Sequence, residues 1–356
     1  MINYYKSLFK IYSTIIIYYA RLQQIFLKTR SIAPIKTTIL LTYKCNCHCY
    51  MCMFCGSAKT EELNFNDLKG VIDQVPNNSV ISFTGGEATL NKDFLKIVEY
   101  AAIKHRTHIR TNGSNLDKEM IKRLIDAGTW GFYFSIDAPR GDIHNKIRGY
   151  DGLFEKVVDA LKEIKKIKEI MHTIRPVIQV NTIILKESIP YLPEMVEFCS
   201  RLGVDSLSFS PDYREGQDIK NYDVKELNYL KGRLEKSVEL AKKFKIDFHI
   251  GNKLCIKDIL NIYSAAGRSA VLEDNIVLKD FVCYNPWTDL TISPDGNAHM
   301  CSLASGYILG NIKTDSIRKL WNNKIAQDVR RSFLEKKYIR RECATCCYFF
   351  RRHSSE

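Results

Sequence analysis

Apolar and polar positions change their rhythm along this chain. Over residues 2–28 the polar positions Asn3, Lys6, Ser7, Lys10, Thr14, Arg21, Gln24 and Lys28 recur near every third or fourth place, with mostly apolar and aromatic residues between them. That spacing predicts an amphipathic helix within residues 1–36. From residue 37 the rhythm becomes short β-rich apolar runs, at 37–43, 80–84, 107–111, 131–136, 176–184 and 205–210. Helical stretches lie between them near 61–75, 91–104, 117–127, 153–170 and 188–202. Strands alternating with helices imply right-handed crossovers and a parallel sheet. Six such units predict an α/β fold over residues 37–215, either a partial (β/α)6 TIM-like barrel or a doubly wound sheet. A helical linker region is expected at 216–280. Residues 281–356 form a small Cys-rich hairpin and helix unit: Leu290 to Gly296 reads as a strand closed by a Pro-Asp-Gly turn, and the segment through Leu320-Trp321 is amphipathic.

Charge sharpens the picture at the ends. Residues 1–44 carry seven Lys/Arg and no acid, and residues 313–356 carry twelve against five acids, so the two ends hold +14 and the rest of the chain −1. A nucleic-acid enzyme would show a basic stripe across its working domain; none is present, and no nucleic acid is expected as partner. The longest uncharged run of the first helix, Ile11 to Ala20, is too short to span a bilayer. No small-residue cleavage site follows it, which argues against a signal peptide. An acid-free amphipathic helix suits an anionic membrane surface, contacted through residues 1–28. A helix docked on the barrel or on another subunit, and an organellar presequence, are the other readings. The expected location is cytoplasmic, peripheral on the membrane if the first reading holds.

Twelve cysteines in a chain without a cleavable signal, clustered at 45–55 and 283–347, point to metal in a reducing compartment rather than to disulfides. Cys45, Cys49 and Cys52 stand at C-x3-C-x2-C, and no other three cysteines of that segment give this spacing, although Cys47 and Cys55 lie close by. Three thiolates on one short loop fit an iron–sulfur cube with one iron left open; a zinc knuckle is the alternative. Polar and glycine-containing stretches follow the other strands: Gly85-Gly86-Glu87, Asn112-Gly113, Ser135 and Asp137, Asn181 within the fifth run, and Tyr213-Arg214-Glu215 after the sixth. In parallel α/β folds the chemistry sits at those carboxyl ends. Cys199 and Cys255, standing alone, read as buried structural thiols.

On these residues the chain resembles the radical S-adenosylmethionine (SAM) superfamily over roughly 37–347. The resemblance implies that Cys45, Cys49 and Cys52 hold a [4Fe-4S] cluster whose open iron is chelated by SAM. An electron from the cluster then cleaves SAM to a 5′-deoxyadenosyl radical, which abstracts hydrogen from substrate. It also implies that Gly85 and Gly86 let the backbone approach the methionine end of SAM with Glu87 nearby, and that Ser135 and Arg148 bind its carboxylate or ribose. Asn112, Asp137 and Asn181 are ribose or adenine candidates. One departure from the family pattern is Met51, where an aromatic residue usually precedes the third cysteine; Tyr50 lies one place earlier.

The second cysteine set resembles the SPASM/twitch domains. Cys283, Cys301, Cys343 and Cys346, with Cys347 as a spare, imply one auxiliary [4Fe-4S] cluster acting as an electron conduit, or a zinc ribbon held by the same four. A flavodoxin or ferredoxin is the implied reductant. The expected reaction is oxidation or epimerisation of a small polar or lipid-linked substrate, sugar-like or cyclitol-like. The alternative is a maturase of ribosomal peptides or proteins, against which only about 36 residues precede the first strand, short of a leader-binding domain.

Overall fold

A computed structural model describes residues 15–52, 54–55, 57, 61–212, 222–251, 255–264, 281–301, 307–335 and 350–351. Strands β1 (Lys36–Leu40), β2 (Val80–Thr84), β3 (Arg106–Thr111), β4 (Gly131–Ser135), β5 (Val177–Ile184) and β6 (Ser206–Pro211) fall on the six apolar runs. They pair in parallel in chain order.

The sheet continues past both edges. β7 (Asp247–Ile250) joins β6 in parallel, inside the stretch read as a helical linker. Its four residues include Asp247 and His249, too short and too polar a run to signal a strand. A two-residue strand β8 (Phe281–Val282) pairs separately with a C-terminal partner, Phe350–Arg351. Beyond β1 lies β9 (Asp289–Ile292), parallel to it, which turns back antiparallel into β10 (Asn297–His299) and then β11 (Ile308–Asn311). The expected Pro-Asp-Gly hairpin is therefore continuous with the barrel sheet.

The helices are α1 (15–26), α2 (Phe65–Gln74), α3 (Phe94–Ala102), α4 (Lys118–Asp126), α5 (Gly141–Arg148), α6 (Leu153–Ile170), α7 (Leu192–Arg201) and α8 (Val224–Phe244). Local chemistry starts several of them. Asn64 and Asp223 cap α2 and α8 with reciprocal capping boxes, and the Asp117 carboxylate accepts from the Met120 amide at the start of α4. α5 has no sequence signal of its own, and its N-cap Arg140 makes no side-chain capping bond.

Strand alternation divides the sheet into two unlike faces. Ile39, Phe83, Ile109, Phe132, Phe134, Val180, Leu207 and Phe209 are fully buried outward, against Leu68, Ile97, Leu124, Val157 and Ile164 of the helices. The inward positions between them are polar: Thr38, Ser82, Arg110, Tyr133, Ser135, Gln179, Asn181 and Ser208. A closed TIM barrel fills that space with branched aliphatic side chains. Here it is a polar lining.

α1 docks on the C-terminal elements α10 (Asn285–Thr288) and, beyond α11 (Ile317–Trp321), α12 (Lys324–Leu334). Gln23 Nε2 donates to the Trp287 carbonyl at 3.2 Å, Trp287 Nε1 to the Lys28 carbonyl at 2.9 Å, and Arg21 Nε to the Tyr284 hydroxyl at 2.9 Å. Arg330, buried, donates to the carbonyls of Thr29, Pro286 and Trp321 and ties the two ends together. Some terminal charge is thus structural. The opposite face of α1 leaves Ile15, Tyr18, Leu22, Ile25 and Phe26 exposed. Among the described residues no helix is long and apolar enough to cross a membrane.

Candidate active site

The cysteine loop leaves the end of β1 and is fixed by two glycines on the neighbouring strand. Gly86 and Glu87 donate their amides to the Thr42 and Lys44 carbonyls, both at 2.8 Å. A Cβ on Gly86 would stand 2.3 Å from the Lys44 oxygen, and one on Gly85, at φ +147°, 2.4 Å from the Thr42 oxygen. The glycines are needed here for backbone to lie on backbone. Glu87 is buried and spends its carboxylate on protein: Oε1 accepts from the Thr89 amide and hydroxyl and the Thr111 hydroxyl, and Oε2 from the Asn112 amide at 2.7 Å. It clamps the ends of β2 and β3 together. Burial raises its pKa against the pull of those donors.

Under the loop lies a charged support. The Asp137 and Arg148 side chains face each other at 2.7 Å, Oδ2 to Nε, as charges rather than along an N–H direction. Asp137 Oδ1 also accepts from the Ile183 amide, and the Asp137 amide donates to His144 Nδ1. Arg148 Nη1 reaches the Cys49 sulfur at 3.8 Å, and its carbonyl accepts from the His48 amide at 2.9 Å. α5 therefore ends against the cysteine loop. Gly149 follows in the left-handed conformation, where a Cβ would meet the His48 oxygen at 2.7 Å.

The thiols are unequal. A hydrogen bond from Cys47 brings Cys49 down to about 6, with Arg148 adding to the effect, and brings Cys45 down to about 7. Cys47, bonded to both, is pushed up and keeps its proton; burial raises Cys52. Backbone amides of Cys47 and Phe54 donate to the sulfurs of Cys45 and Cys52, each at 3.4 Å. Asn112 Nδ2 lies 3.1 Å from the Cys47 sulfur and 3.0 Å from Asn46 Oδ1. Soft thiol ligands with amide donors on two of the sulfurs are the donor set an iron–sulfur cluster takes. Among the described residues no three such side chains converge as the ligands of one metal ion would. A four-iron cube with one thiolate to each of three irons asks for no such convergence.

The residues expected around SAM fall into two groups. Glu87, Asn112, Asp137 and Arg148, expected around SAM, are engaged with the protein and the cysteine loop. Ser135 and Asn181 face each other across β4 and β5 on the polar inner face, and Asn181 Oδ1 accepts from Ser210 at 2.7 Å. The Ser135 hydroxyl makes no hydrogen bond among the described residues. Cys47 was passed over because its spacing does not fit the triplet; its burial shows only in three dimensions. Tyr50 donates to Glu187 at 2.9 Å, and Met51 packs on the core. Cys199 is buried as expected; Cys255 is exposed, because it stands in the turn that starts α9 (Ile256–Tyr263), its amide held by Asp258. Cys283 and Cys301 are half-buried. Cys343, Cys346, Cys347 and Tyr213-Arg214-Glu215 lie outside the described residues.

Comparison with known proteins agrees with this geometry. Residues 39–199 match the family model of the radical SAM superfamily, and residues 283–347 that of an iron–sulfur cluster-binding domain, SPASM. An AdoMet-dependent heme synthase from Methanosarcina barkeri is 22% identical over 321 residues, 86% of this chain and 87% of that protein. The mycofactocin maturase MftC of Mycobacterium tuberculosis is 29% identical over 175 residues, 48% of this chain. The chain spans less than half the length of that maturase, 43%. Among solved structures, SuiB of Streptococcus suis superposes with a TM-score of 0.66 at 17% identity, over 92% of this chain and 74% of that one.

Proposed function

The chain is a radical SAM enzyme with a C-terminal SPASM domain, and from that premise we propose that it matures a ribosomally made peptide or a protein. Cys45, Cys49 and Cys52 would hold the SAM-binding [4Fe-4S] cluster. Cys283 and Cys301, with Cys343 and Cys346, would hold an auxiliary one. Bound there, cluster and SAM supply the electron and the radical that removes a hydrogen atom from substrate. The protein's own part is to fix the loop through Gly86 and Glu87, to set negative charge on Cys49 beside Arg148, and to offer Ser135 and Asn181 toward SAM from the inner face. A flavodoxin-like or ferredoxin-like reductant and an auxiliary-cluster conduit belong to the same reading.

The observation that carries it is the cysteine loop, fixed by two glycines and opening on a polar barrel lining. The peptide substrate is supported by the relatives, among which maturases recur. It replaces the sugar-like or cyclitol-like substrate expected from the cysteine count, for which none of these relatives speaks. The heme synthases favour a tetrapyrrole as a second reading. The exposed face of α1, in an end of the chain without acids, would hold the protein on an anionic bilayer.

Anaerobic reconstitution tests the core of this. About eight irons per chain are expected for two four-iron clusters. With dithionite and SAM the protein should form 5′-deoxyadenosine, and the triple variant C45A/C49A/C52A should form none. A short peptide encoded beside this chain should lose hydrogen or gain a cross-link by mass; turnover of a porphyrin precursor instead would move the substrate to the second reading.

A further inference from the structure

The inner face of the sheet carries a cation that pairs with no carboxylate among the described residues. Arg110 lies on β3, in register with Tyr133 of β4, and its guanidinium carbon is 5.2 Å from the Tyr133 ring centre. Ile109 and Phe132, next to them in sequence, are fully buried on the opposite, helix-covered face, so Arg110 and Tyr133 line the barrel. Arg110 Nε is shielded from solvent and has no hydrogen-bond partner, and no carboxylate pairs with the guanidinium among the described residues. The contrast with Lys36 is direct: that inner-face cation holds Asp289 at 2.5 Å. His108, two residues before Arg110, is buried and kept neutral by that burial, so it adds no second positive charge. Arg110 is half-buried as a residue, with Nε alone closed off from solvent, and the fold gains nothing visible from its side chain beyond a ring face.

Its position says what would complete it. The next two residues belong to the rim: Thr111 and Asn112 both donate to Glu87, and Asn112 also reaches the cysteine loop. Ser135, two residues beyond Tyr133, ends β4. Arg110 thus stands one inward position, roughly 7 Å along the strand, beneath the end of the barrel where the radical would be made. A planar fork of N–H donors there matches a carboxylate, which accepts two parallel hydrogen bonds.

We infer that Arg110 is the binding residue for a carboxylate carried by the substrate, which lies in the barrel against Tyr133 while its reacting carbon faces the cysteine loop. This deepens the peptide reading: the group is either an acidic side chain next to the reacting residue or a chain-end carboxylate.

The experiment uses the reconstituted full-length chain with SAM and no reductant, so that its outcome is independent of turnover. Arg110 is labelled with phenylglyoxal and followed by peptide mass mapping, in the presence of N-acetylglutamate amide with a free side-chain carboxylate, N-acetylglutamine with a free chain-end carboxylate, or neutral N-acetylglutaminamide. Labelling should fall about tenfold with one of the two carboxylates relative to the neutral probe, and the better protector identifies the source. Equal labelling with all three would overturn the inference. Arg110→Met adds a second reading: it should leave the melting temperature unchanged or raise it, since an unpaired charge is removed, and it should abolish probe saturation transfer by NMR while Arg110→Lys keeps part of it. A clear fall in melting temperature with probe binding retained would make Arg110 a structural residue.

Discussion

The rim around the cysteine loop and the inner face below it are built from similar polar residues and treated in opposite ways. At the rim most polar side chains have a protein partner, although Asp137 Oδ2 and Arg148 Nε meet only as charges and His144 Nε2 has no hydrogen bond among the described residues. Glu87 takes four hydrogen bonds, and Asp137 faces Arg148 while holding a strand amide. On the inner face the Ser135 hydroxyl and Arg110 Nε have no hydrogen-bond partner among the described residues. Saturated polar networks give rigidity, and a partly satisfied one is a standing cost unless a ligand completes it. The difference sorts the residues: those in the first region hold the loop that would carry the cluster, and those in the second are the ones we infer to meet a ligand.

The sharpest way to break this division is to cut one member of each region. Asp137→Asn strands the Arg148 guanidinium and should cost about 3–5 kcal/mol of stability, whereas Ser135→Ala should stay within about 0.5 kcal/mol. Urea melts of the two variants check this; equal losses would erase the distinction.

Acid should act next. His144 in the rim support and His108 on the inner face are each held neutral at about 3 by burial, against about 6.5 in the unfolded chain. Between those values the unfolded chain binds the extra protons, so their contribution is full above about pH 6.5 and is lost progressively as pH falls toward 3. Melts between pH 7.5 and 5 should show the decline, and His108→Gln should flatten part of it while leaving the His144 share. A stability profile flat over this range would contradict both burials.

The smallest effect on the fold is expected at α1. Replacing Ile25 and Phe26 by Ser should leave the melting temperature nearly unchanged, because both are exposed. Cosedimentation with phosphatidylserine vesicles should drop if that face meets a bilayer. A large fall in melting temperature instead would place those side chains in a protein contact.

Periodicity was enough for six parallel strands and the helices between them, because outward positions must be apolar to bury the helices and the pattern repeats at each strand. Spacing was enough for the cysteine triplet and, through the Gly-Gly-Glu stretch, for the family, since ligands of one cluster must lie on one short loop. β7 and α5 escaped because short, polar elements are held by their neighbours rather than by their own preferences.

What each polar residue does was decided only by the fold. Glu87 and Ser135 are both polar residues at a strand end in the sequence; one is buried among four donors and the other faces an open lining. Cys47 looks like a spare in the sequence, yet its thiol lies between the two that ionise most easily. Arg110 is one basic residue among many until the register sets it opposite Tyr133, with no carboxylate paired to it among the described residues. Residue type and spacing follow from local chain geometry, whereas partnership is set by strands that meet across dozens of residues, and only tertiary structure brings them together.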